Sequence, residues 1–403
     1  MQQLLGLAGA FVVIIFMVNR KYSLTAAMLC GSALMAITSG LPPAQLGRIV
    51  WESLANRTTL ELMGVAAAIT ALTGILTRYS LLDRMVNALT NLLRNPKAAL
   101  MAVPALIGCL PVMGGAIMSA PMVGSLGDRL GMTAAQKSAA NLVFRHAWFF
   151  VFPFMPSMIL ASRMADVSVY QIIRAQLLLT PAALIAGYFC LLRRLSPRRE
   201  EPVRSISWTT HLKEMLFYGS PLLVSLFLSV ALGIPIALAL LVGMAAAVGL
   251  VYKQGFHLST LYKSVDLKLV AAMASIMVFR GLVQNGGAVS GLVQSFLSWG
   301  IPAELLLVAL PMAVGIASAS QSTTLGITLP LLLPLLPQAN RASYVMLVYA
   351  SSFVAYFGSP LHLCQVLSNE YFGVRLGEVY RAYWPVLLAI LAAMGLTFVL
   401  AVH

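Results

Sequence analysis

Apolar runs of about 20 residues, the length that carries a helix across a bilayer, follow one another through this chain, and only short polar clusters separate them. That pattern excludes an ordinary soluble fold. Charged residues make up only 9% of the 403 positions, against roughly 25% in soluble domains. The net charge of +14 raises the question of nucleic acid. The basic residues sit instead in short loops between apolar runs, which is a membrane-topology signal. No basic stripe with interleaved aromatics exists, so nucleic acid is not an expected partner. The expected surroundings are a lipid bilayer, the cell inner (cytoplasmic) membrane, crossed many times by an all-α protein. Met1–Val18 has neither a basic leading region nor a small-residue cleavage site, and reads as a first span. Cys30, Cys109, Cys190 and Cys364 occur singly inside apolar segments with no CxxC pair, which reads as packing.

Hydropathy predicts spans at about 4–18, 23–40, 60–77, 138–162 and 169–192. In the second half they fall at about 215–231, 234–252, 267–284, 343–367 and 380–401. A polar stretch at 196–212 separates a first unit, 1–195, from a second, 213–403. Two further apolar stretches, about 98–127 and 303–338, are long and interrupted in the middle. Pro111, Gly114 and Gly115 break the first, and the run Ser318 to Thr324 breaks the second. Proline, paired glycine and clustered hydroxyls all disfavour continuous helix. Each stretch therefore reads as a re-entrant hairpin that turns at mid-depth, where exposed backbone is tolerated only inside protein or beside a water-filled cavity.

With two hairpins, each half has five crossings and the second half is inverted relative to the first. Placing Met1 outside puts most of the 26 basic residues inside, including Arg20, Lys21, Arg193, Arg194, Arg198 and Arg199. Arg48, Arg57, Arg163, Arg174 and Arg341 fall outside, and both termini are expected there. The asymmetry obeys the positive-inside rule. The halves also resemble each other. LELMGVAAAITALTGILTRYS near residue 60 parallels LKLVAAMASIMVFRGLVQNGG near residue 267, with Gly74 opposite Gly281 and Pro104 opposite Pro311. NLVFRHAWFFVFPFMPSMILAS parallels MLVYASSFVAYFGSPLHLCQVLS. Weak internal symmetry with interrupted segments at matching positions points to a transporter binding site.

On these residues, over essentially the whole chain, the sequence resembles the ion transporter superfamily of citrate, gluconate, dicarboxylate and arsenite permeases. LPVMGGAIMSAP followed by NLVFRHAWFFVFPFMP most resembles a branch known as domain of unknown function 401. The resemblance implies a scaffold part, a mobile part that carries the solute in an elevator-like movement, and a homodimer. Neither hairpin tip carries the Ser-Asn-Thr triplet of the dicarboxylate branch. The first offers Gly114 and Gly115, and the second Ser320, Gln321, Ser322, Thr323 and Thr324.

Arg145 and His146 lie in a span, opposite Ala350 and Ser351 of the second half. A guanidinium at the bilayer centre costs about 2.5 kcal/mol or more unless it is paired or faces water. The acidic residues fall in loops or at span ends, so the expected partners of Arg145 are carbonyls, water or an anionic solute. A guanidinium fork suits the two oxygens of a carboxylate or phosphate. Pro153 and Pro156 break one span, and Gly358, Ser359 and Pro360 break its counterpart. Freed amides attract anions, and freed carbonyls with hydroxyls coordinate sodium. The expected solute site comprises Gly114, Gly115, Ser119, Arg145, His146, the tip Ser320–Thr324, Ser359 and His362. A coupling sodium is expected among Gly114, Asn141, Pro153, Ser322, Thr324 and Gly358. His146 and His362 are the mid-membrane side chains suited to a proton instead. No other cofactor is expected. The function expected is ion-coupled secondary transport of a small anion. The alternatives are an ion channel, whose filter hairpin tips can line, and a membrane enzyme. For the latter the sequence offers no HExxH, GxSxG, phosphate-binding loop or paired intramembrane aspartates, so it is not read as an enzyme.

Overall fold

The computed structural model describes residues 2–93, 95–110, 115–196, 208–285, 300 and 302–402. Among them every regular element is helical. Six helices are long and apolar enough to cross a membrane: Arg57–Arg78, Trp208–Val230, Ile236–Gln254, Leu267–Asn285, Arg341–Phe372 and Leu376–Val402. A seventh is possible if Val169–Ala175 and Leu179–Leu192, bent by 51°, form one span. Large apolar side chains such as Ile37, Phe227, Leu238 and Leu400 lie exposed on the outside of the bundle. Such a surface fits lipid rather than water.

The elements follow the expected order. α1 (Gln2–Asn19) and α2 (Leu24–Ser39) pack as an antiparallel pair, then a short α3 (Pro43–Ala55) leads into α4 (Arg57–Arg78) and α5 (Leu81–Leu92). The first interrupted stretch is α6 (Pro96–Gly108) packed against α7 (Gly115–Arg129). The broken span consists of α8 (Ala134–His146), a 3-10 turn at Ala147–Phe150, and α9 (Pro156–Ala165). Then come α10 (Val169–Ala175) and α11 (Leu179–Gly187), the latter continued by a π turn at Tyr188–Leu192. The second half has α12 (Trp208–Val230), α13 (Ile236–Val251), a short α14 (Leu258–Lys263) and α15 (Leu267–Asn285). It continues with a second helical pair, α16 (Ala303–Ser318) and α17 (Gln321–Leu332). The second broken span is α18 (Arg341–Gly358) with α19 (Leu363–Phe372), and α20 (Leu376–Val402) follows.

The paired helices are short for a physical reason. With 13 and 15 residues in one pair and 16 and 12 in the other, each is about 18–24 Å long, against a hydrocarbon core of about 30 Å. The second pair turns within two residues. Ala319 takes a left-handed conformation (φ 50°) and its N–H donates to the Gly315 carbonyl at 3.0 Å. Ser320 then opens α17, its hydroxyl accepting from the Thr323 N–H at 3.3 Å. In the first pair the turn itself, with Pro111 and Gly114, lies outside the described residues.

Packing repeats between the halves. α6 packs on α8 as α16 packs on α18. Across the halves, α7 packs on α19 while α17 packs on α9. α2 meets α15 as α13 meets α4, and α3 meets α15 as α14 meets α4. The matched glycines follow the same rule. A Cβ at Gly74 would overlap the Ser264 side chain, and one at Gly281 would overlap that of Ser53. Extending the Pro104–Pro311 register pairs Gly108 with Gly315, and each faces the broken span of its own half: Gly108 meets Arg145, and Gly315 meets Ser352 and Ala355.

Sequence reading takes the short amphipathic helices α3, α5 and α14 for loops. Their apolar stripes are too narrow for hydropathy windows to register. Cys30 and Cys190 are exposed on the outside of the bundle rather than packed within it.

Candidate functional site

Arg145 and His146 form the last turn of α8, which is fixed at its start by a capping box between Thr133 and Gln136. Beyond His146 the chain tightens into the 3-10 turn, so both side chains emerge where the span breaks. Arg145 is 4% exposed. α6 and α7 both pack against it. A Cβ at Gly108 would overlap the Arg145 carbonyl, and one at Gly115 would overlap its guanidinium. At Gly108 the obstacle is backbone, which leaves room for glycine alone, whereas at Gly115 it is the far end of a side chain. None of the ion pairs among the described residues involves Arg145. Its Nε and Nη1 are buried without a hydrogen-bond partner there. Buried donors are normally satisfied, and an orphaned one costs about 1–3 kcal/mol, more for a charged group.

Around the guanidinium stand Cys109 from the first pair and Tyr356 and Cys364 from the second half. The His146 Nδ1–H donates to the Leu142 carbonyl (2.8 Å), and its Nε2 lies 3.2 Å from the Tyr356 hydroxyl. His362, the N-cap residue of α19, is 1% exposed and stacks near both, with ring centroids 4.9 Å from His146 and 4.2 Å from Tyr356. Neither ring nitrogen of His362 has a hydrogen-bond partner among the described residues.

One helical turn away, Ser119 and Asn141 join in a buried network. The Ser119 hydroxyl donates to the Asn141 side-chain oxygen at 2.6 Å, and the Asn141 amide donates to the Ala116 carbonyl at 2.9 Å and to Ser368 at 3.2 Å. Ser138 adds bonds to Ser368 and Asn369. This network ties α7, α8 and α19 together.

The second tip makes its own cluster. The Thr324 hydroxyl donates to the Ser320 carbonyl (2.8 Å) and lies 2.9 Å from Ser318; Thr323 donates to the Ser320 hydroxyl (2.8 Å). Gln321 reaches across, its side-chain oxygen accepting from Ser157 at 3.2 Å and its amide donating to the Tyr349 carbonyl at 3.4 Å. Tyr349 donates to the Phe149 carbonyl at 2.9 Å, which anchors this tip to the first break. Ser322 is half-buried beside them. Between the two clusters lies an aromatic layer: Phe149, Phe150 and Phe353, with Phe150 and Phe353 centroids 4.4 Å apart.

Of the residues expected at a solute site, Gly115, Arg145, His146 and His362 come together. Ser320, Gln321, Thr323 and Thr324 form a second cluster beyond the aromatic layer, bonded among themselves and to Ser157 and Tyr349. Ser359 spends its hydroxyl on the Ile316 carbonyl at 2.7 Å, pinning the second break to α16. Gly114 lies outside the described residues. Of the expected sodium ligands, the Gly358 carbonyl accepts from Tyr380 (2.7 Å), while Asn141 and Thr324 are hydrogen-bonded as above. Pro153 lies in the first break. Sequence reasoning missed Gly108, Tyr356 and Cys364, and the Tyr380, Tyr383 and Gln365 set that holds the second break. A register match with Gly315 was the only available sign of Gly108. Arg280 lines a cavity of about 400 Å³ with Glu52, Asn56, Arg163 and Asp166.

No curated protein matches this chain. A family model described as "Protein of unknown function (DUF401)" matches residues 3–402. The match spans nearly the whole chain, and the protein belongs to that family.

Proposed function

We propose that this protein is a secondary carrier for a small anion, built as two inverted repeats of the ion transporter superfamily type and coupled to sodium. The observation that carries the proposal is Arg145: a guanidinium 4% exposed, with two nitrogens unpartnered among the described residues, held between two glycines of a helical pair. A structural arginine at this depth would be expected to spend its donors on carbonyls. Two free donors of the same fork suit a carboxylate or phosphate oxygen pair instead.

Three features support the repeat architecture. The helical pairs are too short to cross, the breaks fall at matching places, and the packing partners of one half recur in the other with the halves exchanged. Ten crossings with both termini outside follow if α1, α2, the first broken span α8–α9 and the bent pair α10–α11 cross as well as the six longer helices. Each hairpin end then meets the other half's break, which suits a transport part that moves as a body against α1–α4 and α12–α15. Sodium is favoured over protons because the breaks and tips are rich in carbonyls and hydroxyls.

A thermal-shift screen tests the proposal. The purified protein is heated with small carboxylates, phosphate and sulfate, each with and without sodium. Binding to the native state raises the midpoint by mass action. At least one anion is expected to stabilise the protein, more strongly with sodium present. No stabilisation by any of them would remove the reading.

A further inference from the structure

We infer that His146, His362 and Cys364 form a binding site for a borderline-soft transition-metal ion, of the class of Zn²⁺ and Cu⁺. The donor atoms of these three residues all lie within 4.8 Å of one another. Two imidazoles and a thiol are the donor types that such ions select. In a tetrahedral site with bonds of about 2.0–2.3 Å, donors stand about 3.5 Å apart. The three side chains must therefore close by about 1 Å, within reach of small side-chain rotations.

Two further observations point to a ligand. His362 is 1% exposed, and neither of its ring nitrogens has a hydrogen-bond partner among the described residues. Buried imidazole nitrogens are normally satisfied by protein or water, and a metal ion would satisfy one here. His146 is arranged as a ligand is. When its Nδ1–H donates to the Leu142 carbonyl at 2.8 Å, the Nε2 lone pair is left to accept from the Tyr356 hydroxyl at 3.2 Å, a bond that a metal ion would replace. Metal-ligating histidines nearly always donate their other ring N–H to such a carbonyl, which fixes tautomer and orientation.

Charge shapes the choice of ion. Arg145 is close to Cys364, and its positive charge opposes a second cation. On binding, the Cys364 thiol gives its proton to solvent, and the thiolate lies between guanidinium and metal. Two neutral imidazoles and one thiolate neutralise Cu⁺ fully and Zn²⁺ by half. The fourth position of a tetrahedral ion is left to an exogenous ligand.

Cobalt(II) titration of the full-length protein in detergent tests this, with no anion substrate added, so that the result stands apart from the transport reading. The parent carries Cys30→Ala and Cys190→Ala, which removes the two exposed thiols. One equivalent of cobalt is expected to give a thiolate-to-metal charge-transfer band that one equivalent of zinc abolishes. Cys364→Ser should remove the band, His362→Ala should weaken cobalt binding at least tenfold, and Cys109→Ser should leave the band unchanged. The parent measurement needs no substitution within the site to fold. No band in the parent, or a band that survives Cys364→Ser, overturns the proposal.

Discussion

Gly115→Ala and Gly108→Ala are the same chemical change on two sides of Arg145, and the structure predicts opposite consequences. A Cβ at Gly115 would lie 2.7 Å from the Arg145 Cζ and closer still to Nη2. Ordinary contacts need about 3.5 Å, so the guanidinium must move by about 1 Å. It is the far end of a flexible side chain and can do so cheaply. Alanine also raises helix propensity by about 0.5–1 kcal/mol over glycine. Stability should therefore stay within about 1 kcal/mol of the parent. The fork, however, is displaced from its anion. Losing a buried charge partner costs about 2–5 kcal/mol, and a displaced one a good part of that, so anion affinity should fall at least tenfold. At Gly108 the obstacle is the Arg145 carbonyl group, with its carbon 2.9 Å from the new Cβ. Backbone cannot swing aside, and overpacking of this kind costs about 1–3 kcal/mol. The assay is thermal unfolding of both variants, followed by calorimetric titration with the most stabilising anion of the screen. A Gly115→Ala protein with parental anion affinity, or a Gly108→Ala protein with parental stability, would refute the reasoning.

Ala319→Gly should stabilise the protein by about 1 kcal/mol, because Ala319 sits in the left-handed region where a Cβ costs about 1–2 kcal/mol; thermal unfolding reads it. Asn141→Ala should destabilise by about 1–3 kcal/mol, since it removes the buried amide bonds to the Ala116 carbonyl and Ser368 that tie α8 to α7 and α19, and the same measurement checks it. Uptake into proteoliposomes should depend on a sodium gradient; uptake indifferent to sodium that collapses with the pH gradient would reverse the coupling assignment. Cysteine labelling should find positions near Arg48 outside and near Arg199 inside, and the opposite pattern would sink the ten-crossing layout.

How far the sequence reveals the molecule differs by feature. The second break shows why some of it is legible: Gly358, Ser359 and Pro360 each disfavour helix locally, and α18 ends at Gly358 with α19 starting at Leu363. The start of α7 at Gly115 and the cap of α17 at Ser320 are legible for the same reason. The bend between α10 and α11 is not, because LLLTPAALIAG is uniformly apolar and hydropathy reads through it. At the site, Arg145 stands out as a charge in an apolar run. Its neighbours do not. Tyr356 and Cys364 reach it across more than 200 positions of sequence, and Cys364 reads as an ordinary packing residue. The hydroxyls of the second tip look available in sequence, yet they bond to one another and to their own turn. Local composition identifies where helices stop; it carries no information about which stops face each other.

The most direct test of the central claim compares Arg145→Gln and Arg145→Lys with the parent, using proteins that remain folded and monodisperse and the anion that stabilises the parent most. Lysine keeps the charge and loses the fork, so both variants should bind at least 30-fold more weakly, the loss that follows from about 2 kcal/mol or more for a buried charge partner. Parental affinity in both would make Arg145 a structural residue and contradict an anion held by its guanidinium.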